Sequence, residues 1–121
     1  MKILGIDDNE QINKMLEDVL VPLGFEYTSV NNGKEGLRLI LKEQWDVVLL
    51  DLAMPKYGGK DLLSDLAKIG NLEKPKIVIF TASLISDDEV EDLKNFGVAY
   101  FLKKPVSFET LVKTLSSLEK D

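Results

Sequence analysis

The sequence predicts an α/β domain, a doubly wound parallel sheet of five strands in the order 2-1-3-4-5 with helices on both faces. Two observations predict this fold class. Short apolar runs alternate along the chain with amphipathic segments at helical spacing, which is typical of parallel strands connected by helices. The central run, residues 47–50, is apolar at every position, as expected for a strand that is covered on both faces.

The predicted strands are short apolar runs, and Gly, Asn or Pro residues mark several of the turns between elements. The strands span residues 3–6, 25–30, 46–50, 76–80 and 98–102. The predicted helices begin at Glu10, Gly36, residues 57–59, Ser86 and Ser107, and the first four end near Val21, Glu43, Gly70 and Gly97. Pro22 stops the first helix, and Ser86 with Glu89 has the spacing of a capping box. Leu37, Ile40 and Leu41 share one face of the second helix.

Length and composition limit the functions to consider. The 121 residues correspond to one domain, and 45% hydrophobic residues are enough for a core. There is no cysteine and no histidine, which excludes thiol chemistry and histidine bases or metal ligands. The net charge of −6 argues against nucleic acid or an anionic membrane as a partner. We expect one cytoplasmic domain over residues 1–121, with no signal peptide, membrane span or effector domain.

The residues that follow the strands carry the chemistry, because ligands of such sheets bind beyond the carboxyl ends of the strands. The first strand is followed by Asp7 and Asp8, and the neighbouring third strand by Asp51, so three carboxylates should converge. Thr81 follows the fourth strand, and Lys103, Lys104 and Pro105 follow the fifth. A hydroxyl and an ammonium should therefore reach the same edge of the sheet.

Three converging carboxylates repel one another, which predicts a bound hard divalent cation, Mg²⁺ or alternatively Mn²⁺. A cation keeps the acids ionised, so that Asp51 can act as a nucleophile toward a phosphoryl group. The Thr hydroxyl and the Lys ammonium suit the oxygens of that group. The apolar run ends on an acid because a rigid buried strand positions a nucleophile better than a loop does.

This ordered set of motifs resembles the receiver domain of two-component response regulators, of the stand-alone chemotaxis type or the phosphorelay type, over the whole chain. The motifs are DD after the first strand, DLAMPKYGG after the third, TA after the fourth and KP after the fifth. The resemblance implies the flavodoxin-like receiver fold and a phosphoryl group accepted on Asp51. It also implies that Asp8 binds Mg²⁺ directly, Asp7 mostly through water, and Ala53 through its backbone carbonyl.

The resemblance further assigns phosphoryl contacts to Thr81, Ala82 and Lys104, and a switch to Thr81 with Phe101. The implied partners are a histidine kinase or phosphotransfer protein and a downstream protein on the face formed by helix four, strand five and helix five. The chain would be a monomer or a weak phosphorylation-dependent dimer. Phe101 lacks the hydroxyl of the Tyr that is frequent at this position, and Ala53 leaves the lifetime of the phosphoaspartate open.

The same residues also have structural interpretations. Asp7 and Asp8 could cap the following helix, since Asp accepts hydrogen bonds from the first helical N–H groups. Thr81 could be the last β-branched residue of its strand, and Phe101 an ordinary core residue. Lys104 could be a solvated surface residue. In the functional interpretation, Pro105 fixes the loop through a cis Lys104–Pro105 bond and so helps to direct the Lys side chain.

Two residues of the first helix, Ile12 and Met15, are apolar at helical spacing. At least one of them should lie in the core. Exposure of the pair would form an apolar patch for docking of a kinase helix.

Two other functions use part of this residue set. A phosphatase of the haloacid dehalogenase type also has an Asp nucleophile and Mg²⁺, but its nucleophile strand typically ends in Asp-x-Asp, whereas Asp51 is followed by Leu52 and Ala53. Its cap domain would have little room in 121 residues. A binding module that works without phosphorylation is the other alternative. We expect a signalling switch that catalyses only its own phosphorylation and dephosphorylation, and not a turnover enzyme.

Overall fold

The computed structural model describes residues 1–69, 75–82 and 85–119. The five strands are β1 (Lys2–Ile6), β2 (Glu26–Val30), β3 (Val47–Leu50), β4 (Lys76–Thr81) and β5 (Val98–Lys103). The helices are α1 (Glu10–Leu20), α2 (Gly33–Lys42), α3 (Gly59–Ile69), α4 (Asp87–Asn95) and α5 (Phe108–Glu119). All paired strands are parallel, and the order β2-β1-β3-β4-β5 confirms the predicted fold class.

Two apolar layers hold the helices on the sheet. One face is covered by α1 and α5, through the buried residues Leu16, Leu20, Leu111, Leu115 and Leu118. The opposite face is covered by α2, α3 and α4, through the buried residues Ile40, Leu62, Leu63, Leu66 and Leu93. No helix of the described residues has the length and apolar character needed to cross a membrane.

The central strand β3 contributes side chains to both layers, as its uninterrupted apolar sequence predicts. Val47 and Leu49 pack in the layer of α1 and α5, whereas Val48 and Leu50 pack in the layer of α2, α3 and α4. All of these side chains are buried. Successive side chains of a strand point to opposite faces, so a strand covered on both sides needs apolar residues throughout. The residue that follows β3 is therefore held by the most deeply buried strand.

The boundaries of two helices differ from the sequence-based prediction. Helix α2 begins at Gly33, before the predicted Gly36, because the side chain of Asn32 accepts a hydrogen bond from the backbone N–H of Glu35 at 2.8 Å and caps the helix. Of the three apolar residues predicted to share one face of this helix, Leu41 is 50% exposed. Helix α1 ends at Leu20, and a 3₁₀ turn over Val21–Leu23 includes Pro22. The predicted end of the third helix near Gly70 lies outside the described residues.

A close approach between β1 and β2 gives a test of the packing. A Cβ atom at Gly5 would lie 2.0 Å from the phenolic oxygen of Tyr27. We expect Gly5→Ala to lower the free energy of unfolding by about 2 kcal/mol, because a packed core resists added atoms. The loss should be smaller in a Tyr27→Phe background, which removes the clashing oxygen. Urea unfolding of the four proteins measures both losses, and equal losses in the two backgrounds would contradict this packing.

Candidate functional site

The parallel ladder fixes the backbones of the two acids that follow β1 and β3. The N–H of Asp7 donates to the carbonyl of Val30 at 3.2 Å, and the N–H of Asp51 donates to the carbonyl of Ile6 at 3.0 Å. The structure thereby brings together carboxylate oxygens of Asp7, Asp8 and Asp51, which lie within 4.8 Å of one another. The three acids form one cluster at the carboxyl edge of the sheet.

The carboxylate of Asp51 is buried and oriented by hydrogen bonds. Its Oδ1 accepts from the Thr81 hydroxyl at 2.8 Å and from the backbone N–H of Ala53 at 3.1 Å. The start of α3 lies directly against this segment, since a Cβ atom at Gly59 would be 2.7 Å from the carbonyl oxygen of Asp51. The carboxylate therefore has a defined direction before any ligand binds.

The side chain of Lys104 reaches the acids from the end of β5. Its backbone N–H donates to the carbonyl of Thr81 at 2.9 Å, which anchors the loop to the end of β4. Its ammonium forms a salt bridge with Asp7, lies 3.8 Å from Oδ2 of Asp51, and lies 5.1 Å from the ring centroid of Phe80. Lys103 is exposed, so the choice of Lys104 agrees with the geometry. The Lys104–Pro105 bond is cis, as the sequence suggested.

The two acids that follow β1 differ in their exposure to solvent. Asp7 is only 4% exposed, and burial raises the pKa of its carboxyl although the ion pair with Lys104 and the backbone N–H of Asn9 act in the opposite direction. The negative charge of Asp51 raises this pKa further. Asp8 is exposed to solvent.

This donor set fits Mg²⁺. The cation prefers carboxylate oxygens and keeps several of its waters. The cluster offers three carboxylates within 4.8 Å of one another, one of them on the solvent side where waters have room.

The alternative in which Asp7 and Asp8 cap the first helix is wrong. The N-cap of α1 is Asn9, whose side-chain oxygen accepts from the backbone N–H groups of Gln11 at 3.0 Å and Ile12 at 3.2 Å. Asp7 instead accepts a hydrogen bond from the N–H of Asn9 at 2.9 Å. Because Asn9 supplies the cap, the carboxylates of both acids are left for the cluster.

The remaining predicted residues lie around this cluster. Ala53 lies after β3 and Ala82 after β4, and both are exposed. Phe101 is half-buried on β5 and packs against the apolar layer of α2, α3 and α4. Ile12 is half-buried, whereas Met15 is 51% exposed. Their assigned roles stay predictions.

An apolar cavity of about 450 Å³ opens beside the cluster. Ile12, Met15 and Phe108 line it, and it continues to Ala82 and Lys104. The cavity therefore connects the exposed apolar side chains of α1 and α5 with the edge of the acidic site.

Asn13 is a residue of the site that the sequence did not predict. This residue of α1 is buried, and its side-chain amide donates to the backbone carbonyl of Asp7 at 2.8 Å. The available signal was a polar residue at helical spacing with Leu16 and Leu20, on the face of α1 that meets the sheet.

Comparisons with known proteins agree with this geometry. The sequence model of the response regulator receiver domain matches residues 3–116. The polar-differentiation response regulator DivK of Brucella anthropi is 26% identical, over 95% of this chain and 93% of its own length. The chemotaxis protein CheY4 of Vibrio cholerae has a TM-score of 0.85 at 28% identity, covering 97% of each chain. The response regulator TrrA of Thermotoga maritima, solved with Mg²⁺-BeF, has a TM-score of 0.79 at 26% identity, covering 97% of each chain.

Several curated relatives are longer than this chain. It covers 48% to 55% of the length of four of them, which are transcriptional regulators, and so spans about half of these proteins.

The raised pKa of Asp7 predicts how stability depends on pH without divalent cations. The protonated carboxyl favours the folded state, and this contribution is lost as the pH rises through the folded-state pKa. In EDTA at pH 7, we expect Asp7→Asn to be more stable than the wild type, because the substitution removes a buried charge that Asp51 repels. The difference should shrink toward about pH 4 as Asp7 takes up its proton.

Urea unfolding at both pH values measures this difference. Asp18→Asn, at an exposed acid of α1, is the matched control and should show no such trend. A less stable Asp7→Asn variant at pH 7 would mean that the ion pair with Lys104 outweighs the effect of burial.

Proposed function

The chain belongs to the response regulator receiver domain family, and from that premise we propose that Asp51 accepts a phosphoryl group from a phosphohistidine donor. The observation that carries the proposal is the cluster of three carboxylates within 4.8 Å, with the ammonium of Lys104 against two of them. The donor would be a histidine kinase or a phosphotransfer protein of a two-component system.

In the proposed reaction, a carboxylate oxygen of Asp51 attacks the phosphorus in line with the bond to the donor imidazole. A P–O bond forms, the P–N bond breaks, and its electron pair stays on the imidazole nitrogen. The hydrogen bonds from Thr81 and the N–H of Ala53 hold the carboxylate in one orientation during the attack. Mg²⁺ or Mn²⁺, held by the three acids and the carbonyl of Ala53, would offset charge on the phosphoryl oxygens when bound.

After transfer, Thr81 and Lys104 are placed to contact the new phosphoryl oxygens, together with the backbone next to Ala82. The hydroxyl of Thr81 already lies 2.8 Å from Oδ1 of Asp51, and the ammonium of Lys104 lies 3.8 Å from Oδ2. A hydroxyl donor and a cation within this range suit a dianionic phosphoryl group. Hydrolysis of the acyl phosphate by water would reset the protein.

The proposed output is a change in the face formed by α4, β5 and α5. Phe101 pairs with Ile79 on the neighbouring strand, two residues before Thr81, so a shift of Thr81 toward the phosphoryl group frees space near the ring. Phe96 and Tyr100 on this face are exposed apolar side chains that suit a downstream protein. Phosphorylation shifts the population only through its different stabilisation of the two states.

Several further properties belong to the same proposal. The chain acts as one domain over residues 1–121, in the cytoplasm, as a monomer or a weak phosphorylation-dependent dimer, without nucleic acid or membrane partners. It turns over no external substrate beyond its own phosphorylation and dephosphorylation.

The receiver family match over residues 3–116 does not favour the haloacid dehalogenase type. A module that works without phosphorylation is disfavoured because Asp51, Thr81 and Lys104 are assembled in one site.

The proposed docking surface for the donor consists of Ile12, Met15 and Phe108, which line the apolar cavity beside the site. Met15 and Phe108 are exposed large apolar side chains on neighbouring helices. A donor helix that packs here would place its phosphohistidine next to Lys104, which also lines the cavity. The docking surface and the acidic site would then lie at the same edge of the domain.

Incubation with acetyl phosphate and Mg²⁺, followed by intact-protein mass spectrometry, tests the acceptor. The wild type should gain one phosphoryl group, whereas Asp51→Asn or the addition of EDTA should abolish the gain. Asp18→Asn, which changes an exposed acid of α1, is the control and should react like the wild type. Lys104→Ala should slow the reaction by on the order of 10², since it removes a cation from the phosphoryl oxygens. Phosphorylation of Asp51→Asn at the wild-type rate would refute the assignment.

Met15→Glu tests the docking surface separately from the chemistry. We expect the variant to react with acetyl phosphate at the wild-type rate, because Met15 is an exposed side chain of α1 and does not belong to the acidic cluster. Transfer from a histidine phosphotransfer domain that phosphorylates the wild type should fall at least about tenfold, since a buried charge weakens an apolar contact. Lys113→Glu, at an exposed position of α5, is the control. Equal transfer rates for Met15→Glu and the wild type would place docking elsewhere.

A further inference from the structure

Asn13 is a buried polar residue without a role in the proposed reaction. Among the described residues, the buried polar and charged side chains are Asp7, Asn13, Asp51 and Thr81, and the other three belong to the acidic site. Asn13 lies on the face of α1 that carries Leu16 and Leu20, where an apolar residue would pack. Burial of an amide is unfavourable unless its polar atoms are bonded, so an amide at this position needs a specific partner.

The partner is the peptide bond that joins two of the clustered acids. The side-chain amide of Asn13 donates to the carbonyl oxygen of Asp7 at 2.8 Å, and the bond is buried. This oxygen belongs to the planar unit between Asp7 and Asp8, so its position sets the orientation of that plane. The N–H of Asn13 donates to the carbonyl of Asn9 at 3.2 Å, which fixes Asn13 in the first turn of α1. The amide thus ties the helix to the end of β1.

The Asn13 side chain also carries a buried oxygen without a hydrogen-bonding partner. In the described part of the chain, two buried side-chain polar atoms lack a hydrogen-bonding partner, Oδ1 of Asn13 and the phenolic oxygen of Tyr27. The Tyr27 hydroxyl lies over Gly5, two residues before Asp7. Burial raises the pKa of Tyr27, and the charges of Asp7 and Glu17 raise it further. The oxygen of Asn13 therefore offers no hydrogen bond that explains a buried amide here, whereas the amide nitrogen bonds to Asp7.

We propose that Asn13 is a positioning residue for the acidic site, and that its amide directs Asp7 and Asp8 toward Asp51 by fixing the peptide plane between them. The inference rests on the proposed function, since it assumes that the acids bind a divalent cation. Asn13 itself touches neither the cation nor the phosphoryl group. The unpartnered oxygen of Asn13 lowers the free energy of unfolding, so packing does not explain an amide at this position. The hydrogen bond to Asp7 does.

Two variants test the role of the amide. Asn13→Leu removes the donor and the unpartnered acceptor and fills the position with an apolar side chain, whereas Asn13→Ala removes both with less bulk. Gln11→Leu is the matched control, because it replaces an exposed side-chain amide of the same helix. Three quantities are measured on each protein. They are the Mg²⁺ dissociation constant by NMR titration, the hydrogen exchange of the Asn9 amide in EDTA, and the free energy of unfolding in urea.

We expect both Asn13 variants to bind Mg²⁺ about tenfold or more weakly, as when a residue that orients a metal ligand is lost. The Asn9 amide, which donates to Asp7, should exchange faster in EDTA. Asn13→Leu removes one unpartnered buried oxygen, Oδ1 of Asn13, and leaves another, the Asp7 carbonyl, without its donor. We therefore expect a free energy of unfolding close to that of the wild type, so that weaker binding cannot be attributed to a weaker fold. Gln11→Leu should match the wild type in Mg²⁺ binding and in Asn9 exchange.

Mg²⁺ dissociation constants within about twofold of the wild type in both variants would overturn the inference. The inference would also be overturned if Mg²⁺ binding weakened only in variants whose free energy of unfolding is lower than that of the wild type. If the wild type binds no Mg²⁺, the proposed cation fails, and the Asn9 amide exchange in EDTA still decides whether Asn13 holds the turn. If Asn13→Leu does not fold, the measurements on Asn13→Ala decide.

Discussion

Three carboxylates held within 4.8 Å of one another are the constraint on which the structure depends. The sheet holds two of them, because Asp7 and Asp51 continue the hydrogen-bond ladder beyond their strands. They cannot separate without breaking that ladder, so their repulsion is built into the fold. The ammonium of Lys104 offsets part of it, and the site keeps an excess of negative charge. This excess is unfavourable for folding, and it would be offset by the divalent cation that we propose binds here.

The core supplies the rigidity that such a cluster needs. Asp51 follows β3, whose side chains are buried in both apolar layers, and the start of α3 packs against Asp51 at Gly59. Thr81 and the N–H of Ala53 fix the carboxylate itself. Asp8, in contrast, is exposed. The buried acids are thus held by the sheet and its hydrogen bonds, while the exposed acid leaves a path for solvent and for a hydrated cation.

The fold and the meeting of the acids could be predicted because both follow from backbone rules. Parallel strands bring their carboxyl ends to one edge, so the residues after β1 and β3 had to meet whatever their rotamers. Asn9 and Asn13 escaped prediction because their roles depend on side-chain hydrogen bonds to neighbouring backbone, which periodicity does not reveal. The start of α2 was misplaced for the same reason, since Asn32 sets it by capping. Nor could spacing show that Lys104 pairs with Asp7, because that depends on the path of a long side chain.

Lys104 connects the acidic site to the proposed output face. Its ammonium pairs with Asp7 and lies 3.8 Å from Asp51, so a phosphoryl group on Asp51 would offer it anionic oxygens without a large displacement. Its backbone is bonded to the carbonyl of Thr81, and it directly follows the strand that carries Tyr100 and Phe101. Thr81 and Lys104, which are placed to contact the phosphoryl group, are therefore joined by a backbone hydrogen bond between the ends of β4 and β5. In the proposed switch, a change in their partners would therefore act directly on β5, which belongs to the proposed output face of α4, β5 and α5.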